Sequence, residues 1–327
     1  MKYRRVGKSG LKVSEIALGS WMTYGDSLKT KESAMCISQA IEESINFFDT
    51  ADSYANGEAE RVLGECLKEY DRKDLVVSTK VFWETGDGPN DSGLGRKHVT
   101  ESIDRSLERL GMNYVDIYYC HHFDRFTPLQ EIILTMTNLI DEGKILYWGT
   151  SVWTAHQIER VCGIAKNLGA IPPIVEQPRY NMIDRYIEQN VLDAINYNNM
   201  GLVTWSSLMY GVLTGKYNQN IPDKSRFANL KRSYETLKDQ FPLEKVKQLT
   251  EIASNNDVTM AQLALAWILR LDEVSAVLTG ASHPEQIKTN VGAVNVTLTN
   301  DTLTQIEKIL QNKPETAFPY NTNAQMT

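Results

Sequence analysis

Eight short apolar segments recur along the chain: Glu15–Gly19, Asn46–Thr50, Leu75–Lys80, Tyr114–His121, Ile145–Thr150, Ile174–Gln177, Leu202–Ser206 and Ser275–Gly280. Each has strand length and is bounded by turn residues. The longer stretches between them carry apolar residues every three to four positions, the period of a helix with one buried face. Val99, Ile103, Leu107 and Leu110 share such a face, as do Ile132, Met136, Leu139 and Ile140, and later Leu303, Ile306 and Leu310. Four sequences predict capped helix starts: Thr127-Pro-Leu-Gln130, Thr154-Ala-His-Gln157, Thr259-Met-Ala-Gln262 and Ser282-His-Pro-Glu285. In each, the hydroxyl can accept from a free backbone N–H and the third residue on can reach back. Ahead of the first segment, residues Tyr3 to Val13 read as a hairpin with glycines at its turn.

Strand–helix alternation repeated eight times predicts an α/β fold, a (β/α)8 TIM barrel spanning 1–327 as a single domain. An N-terminal β-hairpin and an insertion after the seventh strand complete it. A doubly wound sheet is the rival, but it would carry a GxGxxG turn after an early strand. Gly93-Leu94-Gly95-Arg96-Lys97-His98 fails that pattern at its last position. In such barrels the active site lies at the C-terminal ends of the strands. The second, third and fourth strands place Asp49, Lys80 and His121 there, with Tyr54 in the loop that follows Asp49. Neighbouring strands lie about 4.8 Å apart, so these side chains can converge.

A phenol, an ammonium, a carboxylate and an imidazole make a proton-donating group. Tyr54 donates to a carbonyl oxygen, Lys80 lowers its pKa, and Asp49 holds Lys80 charged and in place. The set suits hydride transfer to an aldehyde or ketone. A single Asp, Tyr, Lys or His at a strand end is ordinarily a turn residue or a satisfied polar group; four in chain order on consecutive strands are not. An alternative chemistry uses Lys80 as a Schiff-base lysine in a lyase or aldolase, with a lesser role for Tyr54. His121-His122 raises the question of a metal. No other His or carboxylate has helical i,i+4 spacing to them, and strand alternation points the two rings to opposite sides, so no metal site is expected.

Trp21, Trp83, Trp153 and Trp205 fall at strand ends. They either pack the barrel rim or wall a pocket able to stack a nicotinamide or cover an apolar substrate. Gly86 to Gly95 is glycine-rich but lacks GK[ST], so it reads as a mobile rim and not a P-loop. Two other segments suit an anion. Lys216 and Arg226 lie in the insertion after the seventh strand, and Gly280-Ala281-Ser282 leads into a helix N-terminus whose free N–H groups favour phosphate. Loops 7 and 8 are the usual phosphate site of such barrels. The plainer alternatives are capping for Ser282 and a solvated surface for the two cations.

Composition narrows the partners. The chain has 327 residues, 42% hydrophobic and 23% charged, which is ordinary globular composition. With a net charge of −7 and no basic stripe, nucleic acid is not expected. No run of 18 apolar residues occurs, so neither a membrane span nor a signal peptide is expected. Cys36, Cys66, Cys120 and Cys162 lack CxxC spacing and read as reduced, buried thiols of a cytoplasmic protein.

Several stretches of this chain resemble the aldo-keto reductase superfamily, and within it the branch of potassium-channel β-subunits and their bacterial relatives. They are Phe48-Asp49-Thr50-Ala51-Asp52-Ser53-Tyr54, Tyr147-Trp148-Gly149-Thr150-Ser151, Ile171 to Gln177, Thr204-Trp205-Ser206-Ser207-Leu208, Gly215-Lys216-Tyr217 and Gly280-Ala281-Ser282. The resemblance implies a barrel that binds NADPH in an extended form and reduces a small carbonyl substrate. Tyr54 would donate the proton, Lys80 and Asp49 would tune it, and His121 would orient the carbonyl or assist proton transfer. Ser151 and Gln177 would hold the nicotinamide carboxamide, with Trp21 nearby. Trp205, Ser206, Leu208, Lys216 and Arg226 would line the pyrophosphate and adenosine side. Gly280, Ser282, Gln286 and Asn290 would hold the adenine ribose phosphate. Trp21, Trp83 and Trp153 are the expected substrate walls. Two departures bear on function. Channel β-subunits often carry Asn where His121 stands, and the family often has Pro where Ser207 stands. The first favours a working enzyme; the second bears on the shape of the cofactor loop. The resemblance also implies a homo-oligomer, a tetramer or larger, and an alternative role as an NADPH-binding regulatory subunit.

Overall fold

The computed structural model describes residues 1–25 and 29–315. Residues 26–28 and 316–327 of the expected 1–327 domain lie outside the described residues. Eight parallel strands close into a barrel: β3 (Ile16–Gly19), β4 (Phe47–Asp49), β5 (Val76–Val81), β6 (Val115–Cys120), β7 (Ile145–Ser151), β8 (Val175–Gln177), β9 (Gly201–Thr204) and β10 (Val274–Thr279). They follow chain order around the barrel, and β10 pairs with both β9 and β3. Before them, β1 (Tyr3–Arg5) and β2 (Lys12–Ser14) form the antiparallel hairpin, Tyr3 opposite Ser14.

Each strand sends alternate side chains to opposite layers. In β5, Val76 enters the barrel interior while Val77 and Val81 join the helix-facing core. Ser78 and Lys80 share the inward face of Val76, and Thr79 turns out to the helix layer, where its hydroxyl donates to Glu60. The interior is small and apolar: Ala17, Phe47, Val76, Ile117, Tyr119, Val175, Val203, Ala276 and Leu278. Val6 and Val13 belong to the same cluster. The hairpin therefore closes the N-terminal end of the barrel, and the open end is the one where the strands finish.

The outer layer begins with α1 (Thr30–Glu42), α2 (Glu58–Leu67), α3 (Arg96–Leu110), α4 (Leu129–Asp141), α5 (Ala155–Leu168) and α6 (Ile187–Tyr197). After β9 comes the expected insertion, with α7 (Arg226–Asn229), α8 (Tyr234–Gln240) and α9 (Leu243–Asn255) ahead of α10 (Met260–Leu269). Then follow α11 (Pro284–Val291) and α12 (Asn300–Leu310). The predicted stripes face the core: Val99, Ile103, Ile132, Met136, Ile306 and Leu310 are all buried.

Two of the four predicted caps form. Thr154 with Gln157 and Thr259 with Gln262 make reciprocal capping boxes. The other two do not. α4 starts at Leu129 with Pro128 at its cap, and the Thr127 hydroxyl donates to Asp124 instead. α11 starts at Pro284 with His283 at its cap, so Ser282 lies one residue too far out and bonds Gln286. Both failed sequences contain a proline, whose fixed φ suits the N-terminal edge of a helix and resets where it begins. All four cysteines are free and buried. No helix among the described residues is long and apolar enough to cross a membrane.

Candidate active site

Asp49 ends β4 on the barrel-interior face and organises the site. Its Oδ2 accepts from Lys80 Nζ at 2.5 Å, and its Oδ1 accepts from Ser78 Oγ at 2.6 Å and Gln177 Nε2 at 3.0 Å. Three strands, β4, β5 and β8, are thus tied together through one carboxylate. Lys80 is fully buried and gives a second hydrogen bond to the Thr50 carbonyl at 2.6 Å. Its ammonium stands 4.8 Å from the centre of the Tyr54 ring.

Tyr54 is carried on a distorted turn. Ala55 and Asn56 have left-handed backbone, φ +47° and +54°, and Gly57 follows at φ +87°. Left-handed non-glycine residues cost of order 1 kcal/mol each and persist where surrounding structure fixes them. Here the turn aims the phenol back over Lys80 before α2 begins. A Cβ at Gly57 would stand 2.8 Å from Arg109 Cδ, so glycine is needed for both space and φ. The His121 ring meets Tyr54 edge-on, centroids 5.6 Å apart.

Burial pushes the Tyr54 phenol up; the Lys80 ammonium pulls it down and Asp49 pushes it up. Burial alone would depress Lys80, but Asp49 and Tyr54 outweigh it and hold the ammonium up. His121 is held well below the ordinary imidazole range by burial, then by Lys80 and His122. It is neutral, so it keeps one N–H donor and one lone pair.

Asp49, Tyr54 and His121 open onto a cleft of about 1530 Å³ at the C-terminal ends of the strands. Lys80 lies behind them, out of reach of solvent. Trp21, Ser151, Gln177, Trp205, Ser206 and Leu208 line the cleft. So do Lys216, Arg226, Gly280, Ser282, Gln286 and Asn290. The Trp21 ring meets Trp205 edge-on at 6.0 Å and leans on Tyr210. Among the described residues neither Lys216 nor Arg226 forms an ion pair, and Lys224 adds a third cation to the lining. An extended polyanion such as a dinucleotide fits this donor set of cations, hydroxyls, amides and aromatic rings around one cleft.

Three expectations need correction. Trp153 does not wall the cleft. It is fully buried and packs edge-on against Phe123 at 4.8 Å. Val152, at φ +59°, reverses the chain just before it, and the Trp153 backbone N–H donates to buried Glu176, which fixes the backbone that carries the ring inward. Trp83, by contrast, is 47% exposed and lines the cleft beside His121 and His122. His121 and His122 do not point to opposite sides of a strand. β6 ends at Cys120, both lie in the following loop, and both rings reach the cleft. Ser282 is not a helix cap; its N–H and hydroxyl point to Gln286 Oε1 at 2.8 and 3.3 Å.

Some partners were missed in the sequence. Ser78 grips Asp49, and its position two before Lys80 on one strand was the signal. Glu176 is fully buried, accepting from Thr150 Oγ1 at 2.5 Å and from the Trp153 backbone N–H at 3.1 Å. Burial pushes its carboxyl up to about 8. Arg179, Tyr186 and Lys224 also line the cleft.

The family model for the aldo/keto reductase family matches residues 15–311. An Arabidopsis thaliana protein named "Probable voltage-gated potassium channel subunit beta" is 46% identical over 329 residues, covering 98% of this chain and all of that protein. One from Oryza sativa subsp. japonica with the same name is 43% identical over 330 residues, with the same coverage. The family generally binds NAD(P)H and carries oxidoreductase activity. With its closed barrel and a family match across nearly the whole chain, this protein belongs to the aldo/keto reductase family, in the company of channel β-subunit-like relatives.

Proposed function

We propose that this protein reduces aldehydes or ketones to alcohols with NADPH, using Tyr54 as proton donor. The observation that carries the reading is the buried Asp49–Lys80 pair set behind the Tyr54 ring at the edge of a large cleft. Lys80 favours the phenolate left when Tyr54 gives up its proton, and Asp49 keeps Lys80 charged and fixed. Neutral His121 donates a hydrogen bond to the carbonyl oxygen and so orients it; as a group uncharged at working pH it does not itself supply the proton. Bound NADPH would supply the hydride. Ser151 and Gln177 would hold the carboxamide end and Trp21 and Trp205 the aromatic slot. Lys216, Arg226, Ser282, Gln286 and Asn290 would take the phosphates and adenosine. Lys80 makes a poor Schiff-base nucleophile, because it is charged, bonded to Asp49 and sealed from the cleft.

Tyr54→Phe tests this directly. Turnover of 4-nitrobenzaldehyde should fall by at least about 10²-fold, the contribution of a positioned acid, while NADPH binding stays intact. An unchanged rate refutes the mechanism. Preference for NADPH follows from Lys216, Arg226 and Lys224, which form no ion pair among the described residues and suit an extra phosphate. NADPH should bind at least about tenfold tighter than NADH, and equal dissociation constants in a fluorescence titration would refute it.

A second reading has the same site bind NADPH in a regulatory subunit of a potassium channel. The names of the plant relatives favour it. Tight NADPH binding without multiple turnovers, together with capture of a channel partner, would select it.

A further inference from the structure

Behind the proposed proton donor lies a count of charges that does not balance. Three carboxyls, Asp49, Asp52 and Glu60, are buried there at 3%, 2% and 0% exposure. Two cations face them. Lys80 is committed to Asp49 and the Thr50 carbonyl. Arg109 gives its Nε to Glu60 at 2.6 Å and a terminal N–H to Ser106. Glu60 also accepts from the Thr79 hydroxyl at 2.5 Å. Asp52 is left over: among the described residues no side chain hydrogen-bonds either of its oxygens, and only the neighbouring Ser53 N–H faces it. An isolated carboxylate out of water costs more than folding can spare, so such a group takes up a proton instead. The ionisable groups that act on Asp52 are Tyr54 on its own loop, Glu60 on α2, Arg109 on α3, Lys80 on β5 and Tyr118 on β6.

We propose that Asp52 is a positioning residue for proton donation by Tyr54, held by the fold as an uncharged carboxylic acid so that Asp49 is the carboxylate charge acting on the Lys80–Tyr54 pair. The inference rests on the reductase reading given above. Burial, with Glu60 adding to it, pushes Asp52 up to about 8; Arg109, the neighbouring Ser53 N–H and Lys80 pull the other way. A negative Asp52 raises the pKa of Tyr54, which makes the phenol a weaker donor. Carbonyl reduction should therefore decline as pH rises through the ionisation of Asp52. Tyr54 and Lys80 lie above their ordinary values and His121 far below, so none of them titrates in that window. Glu176 does, and the test must separate it from Asp52.

The experiment is the pH profile of kcat/KM for 4-nitrobenzaldehyde at saturating NADPH, for wild type, Asp52→Asn and Glu176→Gln. Asn keeps the side chain uncharged at every pH. Wild type and Glu176→Gln should lose up to about tenfold between pH 7 and pH 9, as one group near 8 ionises. In Asp52→Asn the ratio of the two rates should stay within about twofold. A wild-type limb retained in Asp52→Asn overturns the proposal and leaves the reductase reading standing. Absence of turnover in wild type overturns that reading, and the role of Asp52 with it. Should Asp52→Asn fail to fold, infrared spectra of Glu176→Gln across the same pH range decide. A protonated-carboxyl stretch that disappears as pH rises supports the assignment, and no such band at neutral pH overturns it.

Discussion

Replacing Lys80 by Met separates the two tasks of the buried pair. Lys80 and Asp49 have side-chain exposures of 0% and 4%, so neither can turn to water when the other is lost. Breaking a buried pair of this kind costs about 3–5 kcal/mol, chiefly because the remaining charge is stranded. Asp49 would keep its bonds from Ser78 and Gln177, which places the cost toward the lower end of that range. Tyr54 would lose its nearest cation, and with it about 10²-fold or more of its power as an acid. Adding Asp49→Asn removes the stranded charge. The double variant should recover most of the lost stability and none of the lost turnover. Urea denaturation of the three proteins, alongside NADPH oxidation with an aldehyde, reads both quantities. Lys73→Met is the control: its partner Asp71 is 72% exposed, and such pairs contribute about 0–1 kcal/mol. A double variant as unstable as Lys80→Met would refute the argument, since the stranded Asp49 charge could not then be the cause. So would Lys80→Met with wild-type turnover.

The tryptophans and Glu176 supply further checks. Trp153→Ala should lower stability by about 3–5 kcal/mol while leaving KM for aldehydes unchanged below its melting range, and Trp83→Ala should do the reverse; thermal melts and steady-state kinetics distinguish them. Glu176 is held protonated when folded, up to about 8, and ionises near its ordinary value when unfolded. The stability it contributes is complete below that unfolded value and declines as pH rises toward 8. Glu176→Gln should therefore be the more stable protein at pH 8 by about 1 kcal/mol or more. Equal melting temperatures at pH 5 and pH 8 in both proteins would refute it.

The barrel was legible in the sequence because each strand buries both faces and so reads as a short apolar run ended by a polar residue. Predicted and observed strands differ by one or two residues at their ends, as with Tyr114–His121 against Val115–Cys120. Asp49, Lys80 and His121 were legible for the same reason: they are the polar residues that end those runs. Two helix starts were misplaced where a proline stood inside the capping sequence. Trp83 and Trp153 carry the same local signature, two residues beyond a strand, and meet opposite fates. The difference lies in the left-handed Val152 and in a bond to Glu176, 23 residues away. No local pattern encodes either.

The charges behind the site were hidden more deeply still. Glu60 and Arg109 are 49 residues apart and sit on different helices. Their pairing leaves Asp52 without a cation committed to it. What a sequence displays is each ionisable residue; what decides its protonation is which neighbour is already committed. Asp49 is met by Lys80, Ser78 and Gln177, while Asp52, three positions on, meets none of them. The same burial that favours the protonated form of Asp52 and Glu176 makes stability decline as either ionises in alkaline solution, and through Asp52 it would lower turnover as well. Glu176 lies among Thr150 and Trp153, on the opposite face of its strand from Gln177, so its ionisation strains the fold. Asp52 adjoins Lys80 through its backbone N–H, 3.4 Å from the Lys80 carbonyl, so its ionisation would weaken the acid. A rate that declines with pH while the protein remains folded therefore points to Asp52, whereas a shift of the unfolding curve with pH reports both carboxyls, and Asp52→Asn and Glu176→Gln apportion it between them.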